Sequence, residues 1–376
     1  MRARRASSLA APLAAILACG GGSGSNGAAP SSCPDAAALW AASDYSSSSV
    51  GSISLAGNVD SVAPTVDLGA DPSMSVSAGR AFYVARDEDA VFELDGCGVP
   101  KQRFSAHLAS HPETSDPYAV AVAHDGTLWV PLFLAASVLV LAPDGSVART
   151  IDLSRFDGDG NPDASNIVIV DTPAGEKAFV ALDRLNPYPK SVQPSQMLRI
   201  DVATGKIEAT VALAGRNPFT VTQAGSILWL ADPGNFDDAT EADAGIERFD
   251  TSTSTTALVT PEAKLGGSVA QVAVSGSCGT ALVADPTPNV NATSLVTFDA
   301  STGAPLVTAS RSPLTTAGFD LEGLSWVGGD LLVGDRRRAA GGYPIHVFAG
   351  NAACTVMERT NSLFVPMPPV AVCSVP

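Results

Sequence analysis

Asp157-Gly158-Asp159-Gly160-Asn161-Pro162-Asp163 sets oxygen-bearing side chains at alternate positions with turn-forming residues between them. Hard cations such as Ca2+ take oxygen ligands, so Asp157, Asp159, Asn161 and Asp163 are candidate ligands and calcium is the one candidate cofactor. Pro162 stands where a calcium loop needs Gly and no Glu follows at its twelfth place, so a solvated turn uses these residues equally well. A second acidic position, Glu322, lies in Phe319-Asp320-Leu321-Glu322-Gly323-Leu324. Nucleophilic catalysis has no support: G-x-S-x-G, C-x-x-C, a phosphate-binding Gly loop and H-E-x-x-H are all absent. Only four histidines occur, at 107, 111, 124 and 346, and His124 falls in a His-Asp-Gly-Thr turn.

These residues need a scaffold, and the chain supplies one by repetition. Short apolar runs recur at Leu39-Trp40-Ala41, Phe82-Tyr83-Val84, Leu128-Trp129-Val130, Phe179-Val180, Trp229-Leu230, Leu282-Val283 and Leu332-Val333. Successive runs lie 43 to 53 residues apart, and all but the third are followed by an aspartate: Asp44, Asp87, Asp183, Asp232, Asp285 and Asp335. A period of about fifty residues built from short β-like segments marks a β-propeller, whose blades are four-stranded antiparallel sheets. One closed array is expected rather than separate domains, because a lone blade cannot bury both faces. The aspartate repeats with the fold's own period, which favours a structural task at the turn after the strand.

The apolar runs read as the second strand, b, of each blade. Strand a precedes the last six, as at 119–122, 167–170 and 272–274, and strand c follows, as at 90–94, 137–141 and 345–348. The first run has c at 50–55 and d near 64–68, but no a strand ahead of it. Pro369-Val370-Ala371-Val372-Cys373 is expected to supply that strand and close the ring without an open edge. The expected fold class is therefore all-β, a seven-bladed β-propeller over 35–376 closed by its N- and C-terminal strands; without the closure, six blades remain. In a propeller the b–c and d–a loops share one face, so the long segments 154–165, 184–196, 232–245, 285–293 and 335–344 gather there, where binding usually sits. One is acidic (Asp232, Asp237, Asp238, Glu241, Asp243) and one basic (Arg336, Arg337, Arg338). Such a pair could grip a polar ligand or simply stand in water.

The cysteines test the closure. Cys33 precedes the first b strand and Cys373 ends the closing strand, so a Cys33–Cys373 bridge is expected across one antiparallel turn. Cys278 in an a–b turn and Cys354 near a c–d turn of the next blade are the second expected pair, with Cys97 left over.

Met1-Arg2-Ala3-Arg4-Arg5 followed by the apolar stretch 9–18 reads as a secretory signal over 1–18, too short for a retained membrane helix. Its end, Ile16-Leu17-Ala18-Cys19, resembles the lipobox of bacterial lipoproteins, which implies cleavage before Cys19 and lipidation of that residue. A Gly/Ser-rich tether over 19–34 follows, and by the same resemblance Gly20 implies sorting to the outer membrane of a Gram-negative-type bacterium. An exported outer-membrane or cell-surface lipoprotein is expected, its membrane partner reached through the lipid. Loss of 1–18 removes three of 22 basic residues, leaving 19 against 38 acidic and a net charge of −19. So acidic a surface repels nucleic acid, and a monomer is expected.

Leu128-Trp129-Val130 with Val138 through Gly145, and Leu282-Val283-Ala284-Asp285 with Leu295 through Gly303, resemble the YVTN and NHL-type propeller repeats of bacterial surface proteins. The resemblance spans about 39–373 and implies the fold. On function, the expectation is a non-catalytic scaffold that binds a ligand or protein through its long-loop face. The alternative is a divalent-metal-dependent hydrolase or lactonase: Asp320-x-Glu322-Gly323-Leu324 resembles the channel-facing strand of gluconolactonase-like and esterase-like propellers, which implies that Glu322 holds a metal. Asp116, Asn166 and Asn217 are the polar residues at other strand entries that could assist it.

Overall fold

The computed structural model describes residues 33, 35–62, 67–111, 113–186, 190–285, 292–351 and 353–375. The expected signal 1–18, Cys19 and nearly all of the tether 19–34 lie outside them. The described chain folds into seven antiparallel sheets. Blade 1 combines Pro369–Ser374 (strand a) with Ala38–Ser43, Ser48–Ile53 and Val59–Val62 (b, c, d). Blade 2 is Pro72–Ser77, Arg80–Ala85, Ala90–Leu94 and Pro100–Ser105; blade 3 is Ala121–Val122, Leu128–Leu132, Ser137–Leu141 and Val147–Asp152. Blade 4 is Ala164–Thr172, Gly175–Leu182, Gln196–Asp201 and Ile207–Ala212; blade 5 is Thr220–Ala224, Ile227–Asp232, Gly245–Asp250 and Thr255–Pro261. Blade 6 is Ser268–Ser275, Cys278–Ala284, Thr293–Asp299 and Pro305–Val307. Blade 7 is Leu321–Val327, Asp330–Asp335 and Tyr343–Gly350, whose outer edge pairs with both Val356–Glu358 and Leu363–Val365.

The a strands touch one another in turn around the whole ring, which makes them the lining of the central axis. Closure follows the expected register: Leu39 opposes Cys373, Trp40 opposes Val372 and Ala41 opposes Ala371. The reason for the two-faced apolar b strands is visible in the packing. Leu39 and Ala41 face blade 2, among Met74, Tyr83 and Phe92, while Ala38, Trp40 and Ala42 face blade 7, among Leu332, Ile345 and Val347. Seven such cores lie between the seven blades, so each b strand is buried on both sides. Outer d strands alternate instead, as Ile207–Ala212 does, because one face meets water.

Three expectations need correction. Cys33 is bonded to Cys97, not to Cys373. Cys373 sits within the closing sheet opposite Leu39, whereas Cys33 lies beyond that sheet's end and reaches sideways to the c–d turn of blade 2. That turn docks closely because Gly98 has a φ of 84°, and a Cβ on it would lie 3.0 Å from Gly51 of blade 1. Strand d of blade 1 comes earlier than 64–68, since Gly57, at φ 107°, reverses the chain soon after Ile53. Strand a of blade 3 shrinks to Ala121–Val122. The Cys278–Cys354 bond is present as expected, joining blades 6 and 7.

Candidate functional site

Strand a enters and strand b leaves on the same face of each blade, so residues at those ends converge around the channel mouth. On blade 7, Gly323 (φ 79°) breaks the ladder between Glu322 and Leu324, where a Cβ would press on Ala371 and Val372 of blade 1. The kink leaves Glu322 beside the end of strand b. There Arg336 donates from Nη1 to Glu322 Oε2 at 2.6 Å, and its guanidinium lies over the Tyr45 ring at 4.7 Å. Burial raises the Glu322 carboxyl to about 7, against the opposing pull of Arg336.

Blades 2 and 3 repeat this arrangement with different residues. Arg86, just after strand b of blade 2, grips Asp116 with both Nε and Nη2 at 2.8 Å. It lies 3.3 Å from Asp71 and stacks over Tyr118 at 4.5 Å. Bidentate geometry and stacking suit a guanidinium and no other cation. Arg184 holds the equivalent place on blade 4, donating to the carbonyls of Phe156 and Pro194 and to Gln193 Oε1. The recurring arginine after strand b was the signal missed in the sequence: Ala85-Arg86, Asp183-Arg184 and Asp335-Arg336 all carry it.

Blades 4 to 6 bury acids with fewer cations. Asp183 accepts a bond from Ser165 Oγ at 2.6 Å, and burial holds its carboxyl well above the usual range. Asp232, at the end of its strand, stands diagonally across from Glu247, which accepts the N–H groups of Ala214 and Gly215. Burial first, then the neighbouring Glu247, pushes Asp232 far upward. Glu262 takes the N–H of Val269 at 2.7 Å, and desolvation lifts its carboxyl to about 9.

Of the post-strand aspartates, Asp44 and Asp335 hold their own turns through backbone N–H groups, Asp87 ties down the preceding loop, and Asp183 and Asp232 do neither. Asp44 accepts from the Ser46 hydroxyl and from the N–H groups of Ser46 and Ser47, bonds that lower its pKa to about 2, and Asp87 binds the N–H groups of Ala70 and Asp71. Asp335 pairs with Arg337 and His346. In the loop with the calcium-like spacing, Asp157 accepts from Gln193, Asp159 from its own turn at Asn161, and Asp163 from Leu185. Asn161 turns its amide N–H toward Asp163 Oδ1 at 3.0 Å and toward Phe133 O. Asn161 Oδ1 itself is buried with no hydrogen-bond donor on it among the described residues. Asn166 and Asn217 likewise bind carbonyls, of Pro218 and Gly234. In the acidic loop Asp237 pairs with Lys190, and Glu241 and Asp243 with Arg216.

Between blades 1 and 2 this face holds a cleft of about 360 Å3. Ser46, Ser47, Asp67, Leu68, Asp87 and Glu88 line it, close to the half-exposed Tyr45.

No family model matches this chain, and no curated protein does at the sequence level. Solved structures match its fold. A putative 6-phosphogluconolactonase from Bacteroides fragilis is 13% identical, with a TM-score of 0.57 over 93% of this chain and 100% of its own. The Bacteroides uniformis protein of the same description gives 0.56 at 13% identity, over 91% and 100%. An inactive virginiamycin B lyase from Staphylococcus aureus, solved with quinupristin, gives 0.51 at 13% identity, over 80% and 92%. These likenesses establish that the chain is built as a propeller of their kind.

Proposed function

We propose that this is a non-catalytic binding propeller, exported and held to a membrane by a lipid on Cys19, which takes a polar, positively charged ligand or protein segment on its loop face. One observation carries the non-catalytic part: Arg336 of the chain itself occupies the carboxylate of Glu322. A metal-dependent lactonase would need that oxygen for its ion, and a guanidinium at 2.6 Å competes for the same lone pairs. Asp116, a helper such a site would recruit, is held bidentately by Arg86. These arginines give the mouth structural ion pairs in place of a set of free carboxylates for a catalytic divalent ion.

The binding part rests on the cleft between blades 1 and 2, where hydroxyls and carboxylates line an open concavity on a rigid ring. The exported part is supported by two disulfides, which persist in oxidising compartments. No helix among the described residues is long and apolar enough to cross a membrane.

The test uses the full-length protein expressed with its leader in a Gram-negative host. Mass spectrometry of the N-terminal peptide should find a lipid-modified Cys19, and Cys19→Ala should release the protein from the membrane fraction. Lactone and phosphoester substrates should stay unhydrolysed with added Ca2+, Mg2+ or Mn2+. A metal-stimulated hydrolysis abolished by Glu322→Gln would replace this reading with the enzymatic one.

A further inference from the structure

The opposite face, where the a–b turns lie, carries a cluster unconnected with the channel mouth. His124 stands in the a–b turn of blade 3; Asp171 and Glu176 flank the a–b turn of blade 4. One ligand atom from each lies within 4.8 Å of the other two, the one His/Cys/Asp/Glu group so disposed among the described residues. His124 Nε2 is 3.5 Å from Asp171 Oδ2, and His124 Nδ1 is 3.8 Å from Glu176 Oε1. Both Glu176 oxygens also accept the backbone N–H of His124, at 2.9 and 3.1 Å. The mostly buried Glu176 thereby fixes the two turns against each other, while the His124 and Asp171 side chains are 69% and 73% exposed.

We propose that His124, Asp171 and Glu176 bind a divalent transition-metal ion of the Zn2+ class and so clip blade 3 to blade 4. Ligand atoms around a tetrahedral ion bonded at about 2.0–2.1 Å stand about 3.4 Å apart. One imidazole nitrogen serves the ion, and rotation of the exposed His124 and Asp171 side chains draws the three ligand atoms, now within 4.8 Å of one another, to that spacing. One imidazole and two carboxylates favour Zn2+, Co2+ or Ni2+ over Ca2+ and Mg2+, which take oxygen alone. The fourth position faces solvent. The placement parallels the disulfides, which join blades 1 to 2 and 6 to 7 through turns of this same face.

Full-length protein in detergent, stripped with chelator, would be titrated with Co2+ by visible absorption and with Zn2+ by calorimetry. A tetrahedral cobalt band that Zn2+ displaces is expected, with Zn2+ raising the melting temperature. His124→Ala and Asp171→Asn should weaken both ions by at least about tenfold, since even losing a residue that merely supports a ligand costs about 10- to 100-fold. Both positions are exposed, so the metal-free variants should melt with the wild type. His346→Ala, whose ring is held by Asp335 and Glu358, should bind as the wild type does. Unchanged affinity in His124→Ala, or no uptake of either ion at millimolar concentration, would leave an ordinary surface ion pair and overturn the proposal.

Discussion

Arg336 and Glu322 face each other with side chains only 13% and 3% exposed, so the pair is a desolvated bond between the last residue of one strand's exit and the second residue of its neighbour. Removing either partner strands a buried charge. Glu322→Leu is expected to cost about 3–5 kcal/mol, and Arg336→Met a similar amount. Leaving no charge behind, the double variant should recover much of the loss. Urea unfolding of all four proteins measures the coupling. A Glu322→Leu protein as stable as the wild type would show that the two groups are solvated and the pair unimportant.

Closure of the ring makes the C-terminus indispensable. A chain ending at Pro368 loses Val370, Ala371, Val372 and Cys373, which fill the cores on both sides of blade 1, and exposes the edge of Ala38–Ser43. It should lose cooperative unfolding, and a peptide of residues 369–376 added in trans should restore part of it by strand addition. A truncated protein that keeps the full melting temperature would show that the seventh sheet is dispensable.

The fold was legible because its determinants are local and repeated. Each b strand is packed on both sides, so Leu39-Trp40-Ala41 and its six counterparts had to be apolar throughout, and the period exposed them. The bond of Cys33 was misread for the converse reason. Its partner is set by how a neighbouring blade's turn nestles at Gly98 and Gly51, a contact between blades that no periodicity encodes. Glu322 stood out by its motif, but the arginine that engages it lies in the loop after the neighbouring strand, and Arg86 gave no sign of its bidentate grip on Asp116. Charge partners across a blade are fixed by register and twist, which the linear pattern specifies only coarsely.

Non-reducing peptide mapping should therefore recover the Cys33 peptide joined to that of Cys97, and the Cys278 peptide joined to that of Cys354. Cys354→Ser should lower stability by about 2–4 kcal/mol, as expected for a bond that closes a long loop. A Cys33–Cys373 peptide as the main species would contradict the sideways reach to blade 2.

Acids buried without cations give the protein an unusual pH response. Glu262 is raised to about 9 and Asp163 to about 7, each chiefly by burial, and Asp183 and Asp232 are raised by the same cause. Above the ordinary carboxyl range the unfolded chain releases these protons while the folded chain retains them, so stability falls as pH rises from about 4 toward 9. On the acid side Asp201 and Asp335, lowered to about 2, act in the opposite sense, and the stability they contribute is lost as pH drops below about 4. The maximum should thus lie near pH 4–5. Glu262→Gln isolates the alkaline limb: Gln mimics the protonated acid and keeps the acceptor for the Val269 N–H. The variant should match the wild type at pH 5 and exceed it at pH 8 by at least about 1 kcal/mol, since one pKa unit corresponds to about 1.4 kcal/mol. Melting curves at both pH values decide it. A variant equally stable or less stable at pH 8 would mean that Glu262 is ionised in the folded protein, compensated by a cation or water within reach of its second oxygen.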